Sequence, residues 1–318
     1  MVEIAGKVLI TGGLGYLGRR LADHLRQSGL QVLQLTRRAE QDLGVVHFRG
    51  DWAAEGPCLL EGVTQIIHLS CPDEKQAAAD PVTMTHEAFS FTYGLLQAAA
   101  RARVRHVLLA STIHVYGRAM QDQVTEETLP RPVHPYGIIK RLMEDQVIAA
   151  CAGGNMTATI LRLANGFGAP AQPDMTRWSL IINDLCRQAV ENNRLELRSD
   201  PRLLRNFITL EDICHAIEHC LRNPAPDDFR LMNIGSSRSH SLGEMAELVQ
   251  ERCAQVLGTR PELHAPAKHS GPIPALDYDC AKMRAQGITL RENFPGEIDL
   301  TLQACARWFN SGATHPTL

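Results

Sequence analysis

Two rhythms of apolar and polar residues run along the chain. KVLITGG, LQVLQLT, VVHFRGD, TQIIHLS and RHVLLAS contain short apolar runs, and each reads as a buried strand. Between several of them the spacing turns helical. YLGRRLADHLRQSG puts Leu17, Leu21, Ala22 and Leu25 on one face and stops at Gly29. Further helices are expected over 85–103 and from about Tyr136 in HPYGIIKRLMEDQVIAAC, and TATILRLAN gives another strand. Buried strands alternating with helices imply an α/β fold with a parallel sheet covered on both faces.

Regularity falls after about residue 168. GAPAQPD is turn-rich, and helices over 178–193, 211–222 and 241–257 mix with short strands such as RLMNIG. The expected division is a sheet domain over 1–168, to which later segments return, and a smaller C-terminal substrate-binding lobe over 169–318. Such a lobe would pack over the carboxyl edge of the sheet, where open parallel sheets bind ligands.

The first strand runs into TGGLGYLG, residues 11–18, and then into a helix. Gly12, Gly15 and Gly18 let the backbone turn tightly and approach a pyrophosphate, which the free N–H groups of the helix end attract. This is a Rossmann-type, doubly wound arrangement. Tyr16 and Leu17 sit in the same turn and are expected beside the dinucleotide. The second strand ends in Thr36, Arg37 and Arg38. No carboxylate stands there to bind ribose hydroxyls or repel a 2′-phosphate, so NADP is the expected cofactor and NAD the alternative. Asp51 is an adenine ligand or a turn aspartate. Trp52, Leu69 and Ser70 complete the expected cofactor contacts.

Composition narrows the field. The chain has 318 residues, 44% of them hydrophobic, enough for one large α/β domain or somewhat more. Its 32 basic and 35 acidic residues leave a net charge of −3, with no basic block to suggest nucleic acid. No apolar stretch is long enough to span a membrane, and MVEIAGKVLITGG lacks the pattern of a signal peptide. Nine dispersed cysteines without a CxxC pair read as reduced thiols of a cytoplasmic protein, and no metal site is expected.

The chemistry centres on Tyr136 and Lys140, one helical turn apart in HPYGIIKR. An ammonium near a phenol favours phenolate. A phenol tuned in this way passes a proton to or from a carbinol oxygen while hydride moves to or from nicotinamide. The stretch ASTIHVYG, 110–117, supplies hydroxyls at the end of the fifth strand.

TGGLGYLG, STIHVYG, PYGIIK, LRLANGFG, RNFITLEDI and NIGSSRSHSL occur in the order that marks the extended short-chain dehydrogenases/reductases. Within that superfamily the chain resembles the NAD-dependent epimerase/dehydratase family, from residue 7 to about 310. The resemblance implies a nucleotide-sugar substrate. It casts Thr112 as the catalytic hydroxyl, Tyr136 as the acid/base and Lys140 as its partner on the nicotinamide ribose. Ser111 would be a structural neighbour, Asn165 would lie near the sugar or its phosphates, and Arg205 near the nucleotide end. Helices 85–103 and 136–152 resemble a pair that builds a homodimer in the family.

Departures bear on the substrate. KHSGPIPALDYDCAK carries no arginine before Asp279, where relatives grip a pyrophosphate, which leaves a different nucleotide, an altered grip through Lys268 or His269, or a substrate without a nucleotide. RSDPRLL replaces a glycine-rich stretch. Ile113 and His114 stand where 4,6-dehydratases carry Asp-Glu, which argues against that mechanism. A 4-epimerase or 4-ketoreductase of a nucleotide sugar remains, with His114 expected to face the substrate as a binding group or as a base. The alternatives are a reductase of a non-sugar aldehyde, ketone or steroid-like alcohol, and a dinucleotide sensor without chemistry.

Overall fold

The computed structural model describes residues 6–37, 44–117, 120–173, 176–267 and 271–309. The described residues run first through β1 (Lys7–Thr11), α1 (Tyr16–Gln27), β2 (Gln31–Thr36), β3 (Val45–His47), α2 (Trp52–Leu59) and β4 (Val63–His68). It continues through α3 (Glu74–Ala79), α4 (Pro81–Arg101), β5 (His106–Thr112), β6 (Asp122–Val124) and α5 (Pro135–Cys151). Then come β7 (Thr157–Leu163), β8 (Asn165–Phe167), α6 (Ile181–Asn192), β9 (Arg194–Glu196), β10 (Leu204–Arg205) and β11 (Phe207–Thr209). The remainder is α7 (Leu210–Arg222), β12 (Phe229–Ile234), β13 (His240–Ser241), α8 (Leu242–Val256), β14 (Glu262–His264), β15 (Leu276–Tyr278), α9 (Ala281–Ala285) and α10 (Phe294–Phe309).

Seven strands pair in parallel in the order β12-β7-β5-β4-β1-β2-β3. The order reverses direction at β1, so a crevice opens at the carboxyl ends of β1 and β4. Every residue of β5 is buried, as its unbroken apolar run requires of a central strand. One face of the sheet is covered by α1 and α7 through Leu21, Leu25, Ile213 and Ile217. The other is covered by α4 and α5 through Leu95, Ala99, Met143 and Val147. Each large aliphatic side chain so buried contributes about 1.5–3 kcal/mol.

Helix α4 starts at Pro81 rather than at 85. Asp80 accepts a bond from the Thr83 amide (3.1 Å), and a proline fits the first turn. After residue 168 the chain crosses between the two cores more than once. Strand β12 returns to the sheet beside β7, and α7 packs on the same core as α1. β15 pairs with β6, and Leu276 and Tyr278 join that core. The second lobe is the remaining core of α6, α8 and α10, centred on Phe207, Met245 and Ile298. Apolar faces on segments distant in sequence are complementary only once the sheet exists.

Two contacts seat this lobe on the sheet edge. The Tyr16 hydroxyl donates to the Gly168 carbonyl (2.8 Å) and accepts from Asn183 Nδ2 (3.0 Å). Arg20 pairs with Glu297 and donates to the Ala169 carbonyl. Among the described residues, no helix is long and apolar enough to cross a membrane.

Candidate active site

A cleft of about 470 Å³ opens at the carboxyl ends of the central strands. One wall is the turn after β1. Gly12 has φ +66°, in the left-handed region, and its carbonyl accepts from the Gly15 amide (2.9 Å). A Cβ on Gly18 would collide with that same carbonyl. No side chain caps α1, so its first amides face the cleft free to bind an anion. These features fit the diphosphate of a dinucleotide. Tyr16, Leu17, Leu69 and Ser70 line the same wall.

A second cavity of about 290 Å³ continues from the turn toward the end of β2. Gly12, Gly15, Thr36, Arg37, Phe48 and Phe91 line it. Arg37 is exposed, with Nη1 3.8 Å from the Glu87 carboxylate. Arg38 lies outside the described residues. Asp51 and Trp52 do not line the cavity. Asp51 caps α2, accepting from the Ala53 amide (2.8 Å) and the Ala54 amide (3.2 Å). Trp52 is buried against Phe48 (centroids 4.4 Å apart) and Phe91. Asp51 thus caps the helix through Oδ1, with Oδ2 taking no part in the cap, and the Trp52 ring packs in the core.

The opposite wall carries Thr112, Tyr136 and Lys140. His134 caps α5, its Nδ1 accepting from the Tyr136 amide (3.3 Å). This cap fixes where the helix begins and so where Tyr136 points. The Tyr136 phenol stands close enough to the Thr112 side chain for the hydroxyl to favour its ionised form. Lys140 lies beneath the phenol, 5.9 Å from the ring centroid, and donates to the Ala110 carbonyl (2.7 Å). Burial, reinforced by Cys71 and Glu74, pushes the phenol well above its ordinary range, while Arg177 and Thr112 pull the other way. Burial also pushes Lys140 down. The expected lowering of the phenol pKa does not prevail, and desolvation sets the direction.

Behind this wall lies a polar network. Ser111 donates to Glu144 (2.5 Å), and the buried Arg162 donates to both oxygens of Glu144 (3.0 and 2.8 Å) and to the Tyr116 hydroxyl (2.9 Å). Glu144 lies one helical turn beyond Lys140, so the network ties α5 to β5 and β7 at the catalytic register. Its members are far apart in sequence, and only the paired strands bring them together.

His114 stands in a short turn after β5 and lines the cleft. Its ring is edge-on to Tyr136, with centroids 6.3 Å apart. Burial lowers its pKa, opposed by Glu74 and reinforced by Arg205 and His134, so the imidazole is neutral at pH 7. Asn165 also lines the cleft and donates to the Asn206 carbonyl (2.8 Å). Arg205 is not a lining residue. It lies on β10, paired with His240, and donates to its own neighbour's carbonyl at Leu204 (2.8 Å). Its reach is electrostatic, toward His114. Lys268 and His269 lie outside the described residues.

Among the lining residues that escaped sequence reasoning are Cys71, Glu74 and Arg177. The capping box of Asp73 and Gln76 was legible as a D-x-x-Q pattern and would have marked the start of α3 at Glu74. Nothing local marks Arg177. Among the described residues, His24, His215 and Glu218 form the one group able to hold a metal. Glu218 is already satisfied by His24, Ser28 and Arg222, and none of the three lines the cleft.

Residues 8–235 match the model of the NAD dependent epimerase/dehydratase family. The UDP-glucose 4-epimerase of Streptomyces lividans is 25% identical, the match covering 98% of each chain. UDP-arabinose 4-epimerase 1 of Arabidopsis thaliana is 22% identical over 88% of this chain and 74% of its own length. The solved structure of MoeE5 in complex with UDP-glucuronic acid and NAD superposes with a TM-score of 0.77 at 27% identity, over 95% of this chain and 99% of MoeE5.

Proposed function

Because this chain belongs to the NAD dependent epimerase/dehydratase family, we propose that it is an NAD(P)-dependent extended short-chain dehydrogenase/reductase that interconverts nucleotide sugars at C4. The carrying observation is that the Tyr136 phenol, beside Thr112 and over Lys140, shares one cleft with the glycine turn. When bound, the oxidised dinucleotide supplies the hydride acceptor for the carbinol carbon and a positive charge beside the phenol. Thr112 holds the carbinol oxygen. As the phenolate that a bound oxidised dinucleotide and Lys140 would favour, Tyr136 takes the hydroxyl proton on oxidation, and as the phenol it returns that proton to the ketone oxygen on reduction. The raised phenol pKa keeps that proton in place at neutral pH for the reductive half. Lys140 orients the phenol and offers its remaining N–H bonds to the nicotinamide ribose. His114 and Asn165 bind the sugar, and Arg205 contributes positive potential from outside the cleft.

The finer reading of the cofactor is NADP. Its support is Arg37 at the mouth of the second cavity, with no carboxylate at the end of β2. NAD is the alternative, since MoeE5 was solved with NAD. Free NADPH favours net 4-ketoreduction, whereas a retained dinucleotide favours 4-epimerisation. Homodimerisation is supported by apolar side chains exposed on α4 and α5: Val82, Phe89, Tyr93 and Ile138. All nine cysteines are free, which suits a reducing cytoplasm.

The test is to incubate the purified enzyme with UDP-glucose and follow the C4 configuration by proton NMR, before and after exhaustive dialysis. Epimerisation that survives dialysis supports the 4-epimerase. Activity only with added NADPH and a 4-keto sugar supports the ketoreductase. If no nucleotide sugar raises the melting temperature or turns over, the reading gives way to a non-sugar reductase, or to a sensor if no carbonyl compound turns over either.

A further inference from the structure

Glu74 and Arg177 come from opposite sides of the cleft and meet beside the catalytic wall. Glu74 opens α3 on the sheet domain, and Arg177 lies in the short turn Thr176–Ser179 that precedes α6. Oε2 of Glu74 is 3.9 Å from Arg177 Nη1, and Oε1 is 3.8 Å from His114 Nε2. A carboxylate therefore rests between a guanidinium and an imidazole, and neither contact is as short as a hydrogen bond. The Glu74 side chain is 42% exposed, so little holds it there.

Arg177 is better fixed. Its carbonyl accepts from the fully buried Asn183 (3.4 Å), and the adjoining Trp178 packs on Trp308 and Phe309. Among the described residues lining the cleft, it is the one guanidinium. Lys140 is committed to Ala110 beneath the phenol. Asp73, the other acidic lining residue, is committed to the Gln76 amide (2.8 Å).

Resting on the nucleotide-sugar reading above, we propose that Arg177 is a specificity residue that binds a carboxylate on the sugar ring, making the preferred substrate a nucleotide-linked hexuronic acid. Glu74 marks the place that the ligand carboxylate takes, and it turns out toward solvent when the substrate binds. The position selects the carboxylate over the diphosphate. Arg177 faces Glu74, which faces His114, which stands edge-on to Tyr136, so the anion lies beside the reacting carbinol. In a hexuronate the carboxylate is carried on C5, next to C4. The diphosphate hangs from C1, across the ring.

The test compares UDP-glucuronic acid with UDP-glucose by kcat/KM at C4 in wild type, Arg177→Gln and Glu74→Gln, with binding of both sugars followed by calorimetry. Wild type should prefer UDP-glucuronic acid. Arg177→Gln should lower the glucuronate-to-glucose ratio by about ten- to a hundredfold, the effect of losing one charge-assisted hydrogen bond. Glu74→Gln should raise that ratio by removing the competing carboxylate. A ratio that neither substitution moves, or a wild-type preference for UDP-glucose, overturns the proposal and leaves the nucleotide-sugar reading intact. Failure of both sugars to bind or react overturns both. Retained binding of UDP-glucose by Arg177→Gln separates lost recognition from misfolding.

Discussion

Replacing Glu144 with alanine should destabilise the protein far more than removal of the whole ion pair. Arg162 is 2% exposed, and in wild type Glu144 accepts two of its hydrogen bonds. Without the carboxylate, a buried guanidinium keeps only the Tyr116 hydroxyl, and the Ser111 hydroxyl loses its acceptor. An uncompensated buried charge costs about 3–5 kcal/mol. Some of this is recovered if water reaches the new cavity, so about 3 kcal/mol is expected, or a melting temperature lower by roughly 4–5 °C. The double variant Glu144→Leu/Arg162→Met removes both charges and fills the volume, and should lose less than the single variant. Urea titrations of wild type, both singles and the double give the coupling directly. If Glu144→Ala costs less than about 1 kcal/mol, or the double costs as much as the sum of the singles, the pair is not what binds α5 to β5 and β7.

Tyr136→Phe should lower turnover by about 10²–10⁴-fold while dinucleotide binding, followed by fluorescence, stays near wild type; more than a tenth of the rate remaining would remove the phenol from proton transfer. Arg37→Ala should weaken NADP about tenfold, the contribution of one charged hydrogen bond, and leave NAD nearly unchanged; equal losses for both would exclude a 2′-phosphate contact. His114→Ala should raise KM for the sugar without altering solvent deuterium uptake at ring carbons, whereas abolished uptake would assign the imidazole as a base. Burial drives His68 down to about 3 and His106 to about 4, so both are neutral in the folded state at pH 6. An unfolded histidine protonates near 6.5, so this contribution is full above that pH and is lost as pH falls from about 6.5 toward 3. Urea midpoints should fall with acidification over that window, and His68→Gln should flatten the slope; an unchanged slope would mean that His68 is not the titrating group.

The sequence alone determined what rests on consecutive residues. A strand, a glycine turn and a helix follow one another in 7–27, so the dinucleotide cradle was readable from spacing. Tyr136 and Lys140 are one turn apart on a single helix, so their shared face was fixed before any tertiary contact. The buried parallel strands were legible because a strand covered on both faces is apolar throughout. Tertiary structure decided the rest. Asp51 had two readings, and only the geometry of α2 shows that it caps that helix. Glu74, His114 and Arg177 are separated by dozens of residues, and the crossing of β4, β5 and the second lobe brings them together. Arg205 carried a family motif but lies on a lobe strand outside the cleft lining. The direction of the Tyr136 shift also required the fold. A sequence gives the charge beside a phenol, but desolvation depends on everything packed around it, and here desolvation is the larger effect.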